Sequence, residues 1–146
     1  MRQKQFAIGE RLTLQVINVG KQIEVQASNR EDVPQYWGYN VRVEKRSFGQ
    51  LMVNGDFDLK IATAKIGDNF TDDASKINAK WRSSQHVLVA FGAPSRGLHE
   101  IAQDENLRLE DIADFVVNMV PNQGTVTVRT EEALFASLAI LNVQFN

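Results

Sequence analysis

Three glycine-bearing turns carry the binding chemistry that this chain can be read to have. Gly67, Gly92 with Gly97, and Gly124 each follow a short apolar segment: Leu59-Lys60-Ile61-Ala62-Thr63-Ala64, then residues 86–91, then Phe115-Val116-Val117 with Met119 and Val120. Turns after the strands of an open α/β sheet leave main-chain amides and carbonyls free, and glycine lets a guest approach the backbone closely. The turn Phe91-Gly92-Ala93-Pro94-Ser95-Arg96-Gly97 lacks GxGxxG spacing, and GxxxxGK[ST] occurs nowhere. Neither a dinucleotide cradle nor a P-loop is therefore supported. A neutral or zwitterionic guest, held by main-chain hydrogen bonds between apolar walls such as Leu98 and Val128, suits these turns better.

Other chemistries find less support. The chain has no cysteine, which removes disulfides, thiolate catalysis and cysteine zinc sites and is compatible with a reducing compartment, cytoplasmic or nuclear. His86 and His99 have no matching ligand cluster, so no metal is expected. Glu131 and Glu132 form an acidic pair, yet they fall in the first turn of a helix, where the macrodipole favours negative charge. Asn69-Phe70-Thr71 matches a glycosylation sequon, read as chance because residues 1–5 lead into no signal-peptide core. Apolar runs stop far short of the roughly 20 residues that cross a bilayer.

The elements that position the turns follow from pattern. A length of 146 residues with 43% hydrophobic content suits one domain, or one with a small appendage. Leu12, Leu14 and Val16, then Ile23 and Val25, alternate with polar residues around Asn18-Val19-Gly20-Lys21, predicting a β-hairpin. Tyr39, Val41 and Val43 alternate with Asn40, Arg42 and Glu44, predicting another half-buried strand. From Leu59 onward the pattern becomes strand, loop and helix repeated around a mainly parallel sheet, with helices near 74–79, from 97 through 102, and from Thr130. Thr130 is expected to cap the last helix, and Leu134, Leu138 and Leu141 to form its buried stripe. Phe135, Ala136 and Ile140 flank that stripe, as on an interface helix. The expected boundary separates a β-rich segment, 1–45, from an α/β domain, 46–146.

Charge divides along the same line. Residues 1–50 carry eight Lys and Arg against five Asp and Glu, and residues 51–146 carry eight against thirteen. The basic side is thus N-terminal, weak support for nucleic-acid contact, with an ordinary solvated face as the default reading. Tyr36, Trp37 and Tyr39 could stack on bases; domain packing is the default reading of such aromatics.

Four stretches together resemble one family, the archaeal and eukaryotic RNA methyltransferases of the SPOUT superfamily. They are Tyr36-Trp37-Gly38-Tyr39-Asn40-Val41-Arg42, Ile61-Ala62-Thr63-Ala64-Lys65-Ile66-Gly67, the turn from Phe91 to Leu98, and residues 118–133 with their Pro-Asn-Gln-Gly and Thr-Val-Arg-Thr-Glu-Glu-Ala cores. The resemblance covers roughly residues 8–142. It implies a trefoil-knotted α/β domain, preceded here by the end of an inserted OB-like module; the family's N-terminal strand-helix portion is expected to be missing. It also implies a homodimer through the knot and last helix, acting on RNA with S-adenosylmethionine.

Carried over residue by residue, the cofactor would meet Thr63, Ala64 and Gly67 at the first turn and Phe91, Gly92 and Gly97 at the second. At the third it would meet Asn118, Val120, Pro121, Gln123, Gly124, Thr125, Val128 and Thr130. Arg129, and after it Arg96, are the expected polar groups facing substrate or the cofactor carboxylate; no general base is assigned. The alternative is a non-catalytic RNA-binding or assembly module that keeps the fold while its loops are only structural.

Overall fold

The computed structural model describes residues 6–10, 12–29, 32 and 39–145. They belong to two compact units, residues 1–43 and 44–146. The Tyr36-Trp37-Gly38 motif lies outside the described residues.

The first unit contains an antiparallel hairpin, β1 (Thr13–Val19) and β2 (Ile23–Ser28), with a register shift between Val16 and Asn18. Cross-strand pairing sets Val16 opposite Val25 and Val19 opposite Ile23, and all four side chains are exposed. A two-stranded hairpin with an uncovered apolar face is marginal by itself. The strand expected at Tyr39, Val41 and Val43 does not form; these residues are exposed and outside any ladder. Alternation alone is insufficient, because a strand exists only where a neighbouring strand takes up its amides and carbonyls.

The second unit is built on a three-stranded parallel sheet. β3 (Leu59–Asn69) lies between β4 (Val87–Ala90) and β5 (Phe115–Asn118). Helices α1 (Phe48–Asn54), α2 (Phe70–Ser83), α3 (Leu98–Asp104), α4 (Leu109–Ile112) and α5 (Thr130–Phe145) complete it. One cluster buries Met52, Ala62, Ala90, Leu98, Ala102, Leu109 and Ile112; the other buries Leu59, Ile61, Phe70, Ile77, Val117, Met119 and Leu141. Successive β3 residues, Ile61 and Ala62, enter different clusters, as a strand covered on both faces requires.

Local chemistry explains the helix starts. Ser47 and Gln50 form a capping box at α1, and Glu105 reaches from the end of α3 to accept the Ser47 hydroxyl at 2.5 Å and the Gly49 amide at 2.9 Å. Both hydrogen bonds, the Gly49 amide first, hold the Glu105 carboxyl below its usual range. Asp72 and Asp73 occupy the first turn of α2, with Lys80 and Arg82 in its last. At α5 the expected cap differs. Thr130 is the first helical residue and its hydroxyl donates to the Gly92 carbonyl at 3.1 Å, while Glu132 turns back to accept the Arg129 amide at 3.1 Å.

The buried stripe of α5 also differs from the expected one. Leu141 is buried, but Leu134 and Leu138 are 38% and 51% exposed, and the residue sealed beneath the helix is Ser137. Ser137 and Leu141, four residues apart, share the inward face, and Leu134 and Leu138 lie to its side. Phe135, 72% exposed, extends the apolar surface.

Candidate functional site

The three parallel strands end at one rim, where a cavity of about 400 Å3 opens, within the ~300–1,000 Å3 span of small-molecule sites. Position in an open sheet accounts for it: backbone groups beyond the carboxyl ends of adjacent strands have no ladder partner and can face a guest. From β3 come Thr63, Ala64, Lys65 and Ile66. The turn after β4 gives Phe91 to Gly97, and α3 adds Leu98, His99 and Glu100. Asn118, Met119, Val120, Gln123, Val126, Thr127 and Val128 line it from the end of β5 and beyond, and Thr130, Ala133 and Ser137 from α5.

Side-chain hydrogen bonds tie these segments to one another. Thr63 Oγ1 donates to the Ala90 carbonyl at 2.8 Å, joining the first two strand ends. Thr130 fastens α5 to Gly92. Asn118 Nδ2 donates to the Lys65 carbonyl at 3.0 Å while its Oδ1 accepts the Val120 amide at 3.0 Å, so one amide group braces both the first and third segments. Lys65 Nζ donates to the Val126 carbonyl at 3.0 Å, and Gln123 Nε2 donates to the carbonyls of Thr125 and Val126.

The charges at the cavity are dispersed and mostly engaged. Arg96 pairs with Asp104, and Lys65 is on Val126. His99 Nε2 is 2.7 Å from the Ile66 carbonyl, so that nitrogen carries the proton, and Nδ1 is 3.6 Å from Glu110. Among the described residues, the lining cations Lys65 and Arg96 form no dense cationic nest of the kind that holds a phosphate-rich guest. Among the described residues no group of three or more His, Cys, Asp or Glu side chains could hold a metal.

The structure thus gathers Thr63, Ala64, Phe91, Gly92, Gly97, Asn118, Val120, Gln123, Val128 and Thr130, with Arg96, around one cavity, and leaves Gly67, Pro121, Gly124, Thr125 and Arg129 outside its lining. Gly67 has a packing reason instead: a Cβ there would stand 2.8 Å from the Val116 carbonyl oxygen. Residues 64–67 leave the ladder between the Thr63 and Asp68 pairings with Val117, and Gly67 is where the chain returns against β5. Gly124 has open space where a Cβ would be, and Thr125 donates its hydroxyl to the Thr127 carbonyl within the loop. Arg129 lends its amide to Glu132, and its guanidinium has no partner among the described residues.

Several lining residues were not expected: Lys65, Ile66, Ala93 to Ser95, His99, Glu100, Met119, Val126, Thr127, Ala133 and Ser137. For Ala133 and Ser137 a signal existed. With Thr130 they recur at spacings of three and four, a small-residue face beside the more conspicuous leucines.

Fold and rim cavity together define an α/β domain with a cavity of small-molecule size at the ends of its parallel strands. The chain belongs to the RNA methyltransferase family whose model, described as "Putative RNA methyltransferase", matches residues 1–141. It is 38% identical over 112 residues to a mouse 28S rRNA (uridine-N(3))-methyltransferase, covering 73% of this chain and 28% of that protein. It is 31% identical over 119 residues to the Drosophila melanogaster protein of the same name, covering 77% and 24%. An uncharacterized protein of Halobacterium salinarum is 31% identical over 147 residues, covering 92% of this chain and 49% of its own length. The chain therefore spans about a quarter of the animal relatives it matches.

Proposed function

We propose that this chain is an S-adenosylmethionine-dependent RNA methyltransferase, or the cofactor-binding part of one, modifying a base nitrogen of RNA. The animal relatives' names make uridine N3 the first candidate atom. One observation carries the reading: in a member of this family, three strand-end segments and α5 close around a single cavity with apolar walls, exposed main chain and few uncommitted charges.

The residues present fit the adenosyl group. Leu98, Met119 and Val128 offer apolar walls, and Ala133 contributes only a methyl on the side of α5. Bound there, S-adenosylmethionine would supply a methyl group already activated by the sulfonium. The work of the protein is then mainly alignment and exclusion of water, and at uridine N3 the ring proton must pass to a base or to solvent as the methyl arrives. Thr63, Asn118, Lys65 and Thr130 hold the segments in register; Thr63, Ala64, Phe91, Gly92, Gly97, Asn118, Val120, Gln123, Val128 and Thr130 would face the cofactor. Gly67, Pro121, Gly124 and Thr125 would shape its surroundings. Arg129, just before α5 and with no guanidinium partner among the described residues, would face RNA, and Arg96 would act only after leaving Asp104.

The finer features of the family complete the proposal. The loop from Gln123 to Arg129 is read as the crossing of a trefoil knot, a reading supported by its tie to Lys65 and by that of Thr130 to Gly92. The hairpin is read as part of an OB-like module. Leu134, Phe135 and Leu138 would pack against a second copy, because α5 is apolar on more sides than its own unit covers.

Calorimetric titration with S-adenosylhomocysteine tests the cofactor assignment: saturable binding is expected, and absence of heat at high concentration would sink it. RNA retention that weakens with salt, in a chain without cofactor affinity, would instead mark a non-catalytic RNA-binding module.

A further inference from the structure

Between its two pairings with Val117, at Thr63 and at Asp68, β3 leaves the ladder, so residues 64–67 have no cross-strand partner on β5. Main-chain carbonyls freed in this way need other donors or water. Two side chains supply them. Asn118, on β5, donates to the Lys65 carbonyl at 3.0 Å, and His99, in the first turn of α3, donates from Nε2 to the Ile66 carbonyl at 2.7 Å. Ala64, Lys65 and Ile66 line the cavity, and so does His99.

The two ties are not equivalent. Asn118 binds the excursion to the strand it already adjoins, whereas His99 binds it to α3, the helix that begins directly after the turn following β4. A helix side chain thereby joins the first turn to the second, beyond the point where Thr63 joins their strands. With Nε2 as donor, Nδ1 carries the lone pair, and Glu110 stands 3.6 Å from it, too far for a hydrogen bond. The bond to Ile66 therefore sets the ring. Glu110 is half exposed and lies 3.9 Å from Arg108, so its pull on the imidazole is weak. The His99 side chain is 34% exposed, and a bond at such a place matters less to global stability than to where Lys65 and Ile66 stand.

We propose that His99 is a positioning residue of the cofactor site, its Nε2–H clasping the 64–67 excursion to α3 so that the first and second turns meet the same guest. The inference rests on the cofactor reading above and deepens it. His99 acts through the Ile66 main chain and is assigned no part in methyl transfer.

The test compares wild type with His99→Gln and His99→Phe by calorimetric titration with S-adenosylhomocysteine, together with the melting temperature of each free protein. Glutamine can place an amide nitrogen where the imidazole Nε2 stands and so keeps the donor; phenylalanine keeps a ring and loses the donor. Affinity should fall about three- to tenfold in His99→Phe and stay within about twofold of wild type in His99→Gln, with little change in either melting temperature. Should His99→Phe disturb the fold, His99→Asn, whose shorter amide ends short of Ile66, takes its place in the comparison. Equal losses in the donor-keeping and donor-less variants overturn the inference and assign the ring to packing. A donor-less variant that binds as tightly as wild type overturns the inference alone and leaves the cofactor reading standing. Wild type that does not bind S-adenosylhomocysteine overturns the inference and the cofactor reading together.

Discussion

The turn after β4 and the loop after β5 both contain glycine, both follow a buried strand, and both line the same cavity, yet they are held in different ways. In the first, a Cβ on Gly92 would stand 2.9 Å from the Arg96 carbonyl oxygen and 3.3 Å from the Gly97 Cα, so the backbone itself leaves no room. The Ala93–Arg96 bridge closes this turn, and α3 begins directly after it. In the second, Gly124 meets nothing, and shape comes from side chains, Gln123 and Lys65, donating to loop carbonyls. A recurring residue type therefore does not imply a recurring role: one turn is fixed by sterics and the other by polar ties.

The largest effect expected from this difference is at Gly92. Gly92→Val must displace backbone that cannot swing aside, so it should destabilise by about 1–3 kcal/mol and lower S-adenosylhomocysteine affinity more than tenfold. Urea unfolding and calorimetry measure the two. Unchanged affinity would show that the turn tolerates displacement and would erase the contrast with the loop. Thr130→Val should come next, because it leaves the Gly92 carbonyl without its 3.1 Å donor. A stability loss of about 1 kcal/mol is expected, with several-fold weaker binding; a larger loss than at Gly92 would make the Thr130 tie, not the steric fit of Gly92, the main restraint on the turn.

The two segments should also separate with pH. α3 is anchored through Glu105 to the start of α1, and the β3–β4 edge through Asp58, whose carboxylate accepts the His86 and Gln85 amides at 2.9 and 2.8 Å. For Asp58 those amides, His86 first, hold the carboxyl below its usual range; for Glu105 the Gly49 amide leads. A depressed folded value means stabilisation that is fully present above the unfolded value of about 4 and is lost as pH falls through the folded values. The urea midpoint should therefore drop on acidification below roughly pH 4. Glu105→Gln should lower the midpoint at pH 6 and flatten its pH dependence; an unflattened curve would show that this anchor does not contribute. The loop after β5 is tied instead by Lys65 and Gln123, with no carboxylate in its hydrogen bonds to the loop carbonyls.

Much of the α/β unit could be read from residues alone because burial on both faces writes continuous apolar runs into the chain, as at Phe115 to Val117. The rim position of the cavity followed from three such runs, each ending in a glycine-bearing turn. What pattern could not supply was rotation and partnership. Leu134, Leu138 and Leu141 satisfy helical spacing equally whether they face the core or another surface, and only packing places Ser137 beneath α5 instead. Tyr39, Val41 and Val43 alternate well, but alternation has no information about whether a neighbouring strand exists to pair with them. Helix α4, at four residues, is too short to establish a period, and the capping box that starts α1 at Ser47 and Gln50 was the signal not used there.

Lys65→Met and Gly124→Ala complete the series at its small end. Removing the Lys65 ammonium from Val126 takes away one exposed tie of the loop while Gln123 still donates to the same carbonyl. A stability change under about 1 kcal/mol is expected, with a two- to fivefold loss of S-adenosylhomocysteine affinity. Gly124 lacks a positive φ, and its added Cβ would enter open space, so alanine should change stability by less than about 0.5 kcal/mol and leave affinity within twofold. Chain entropy even favours alanine slightly, since it restricts the unfolded state at no cost in the folded one. Were Gly124→Ala to abolish binding as Gly92→Val should, the ligand would have to press against the Gly124 backbone, and both glycines would be there to admit it.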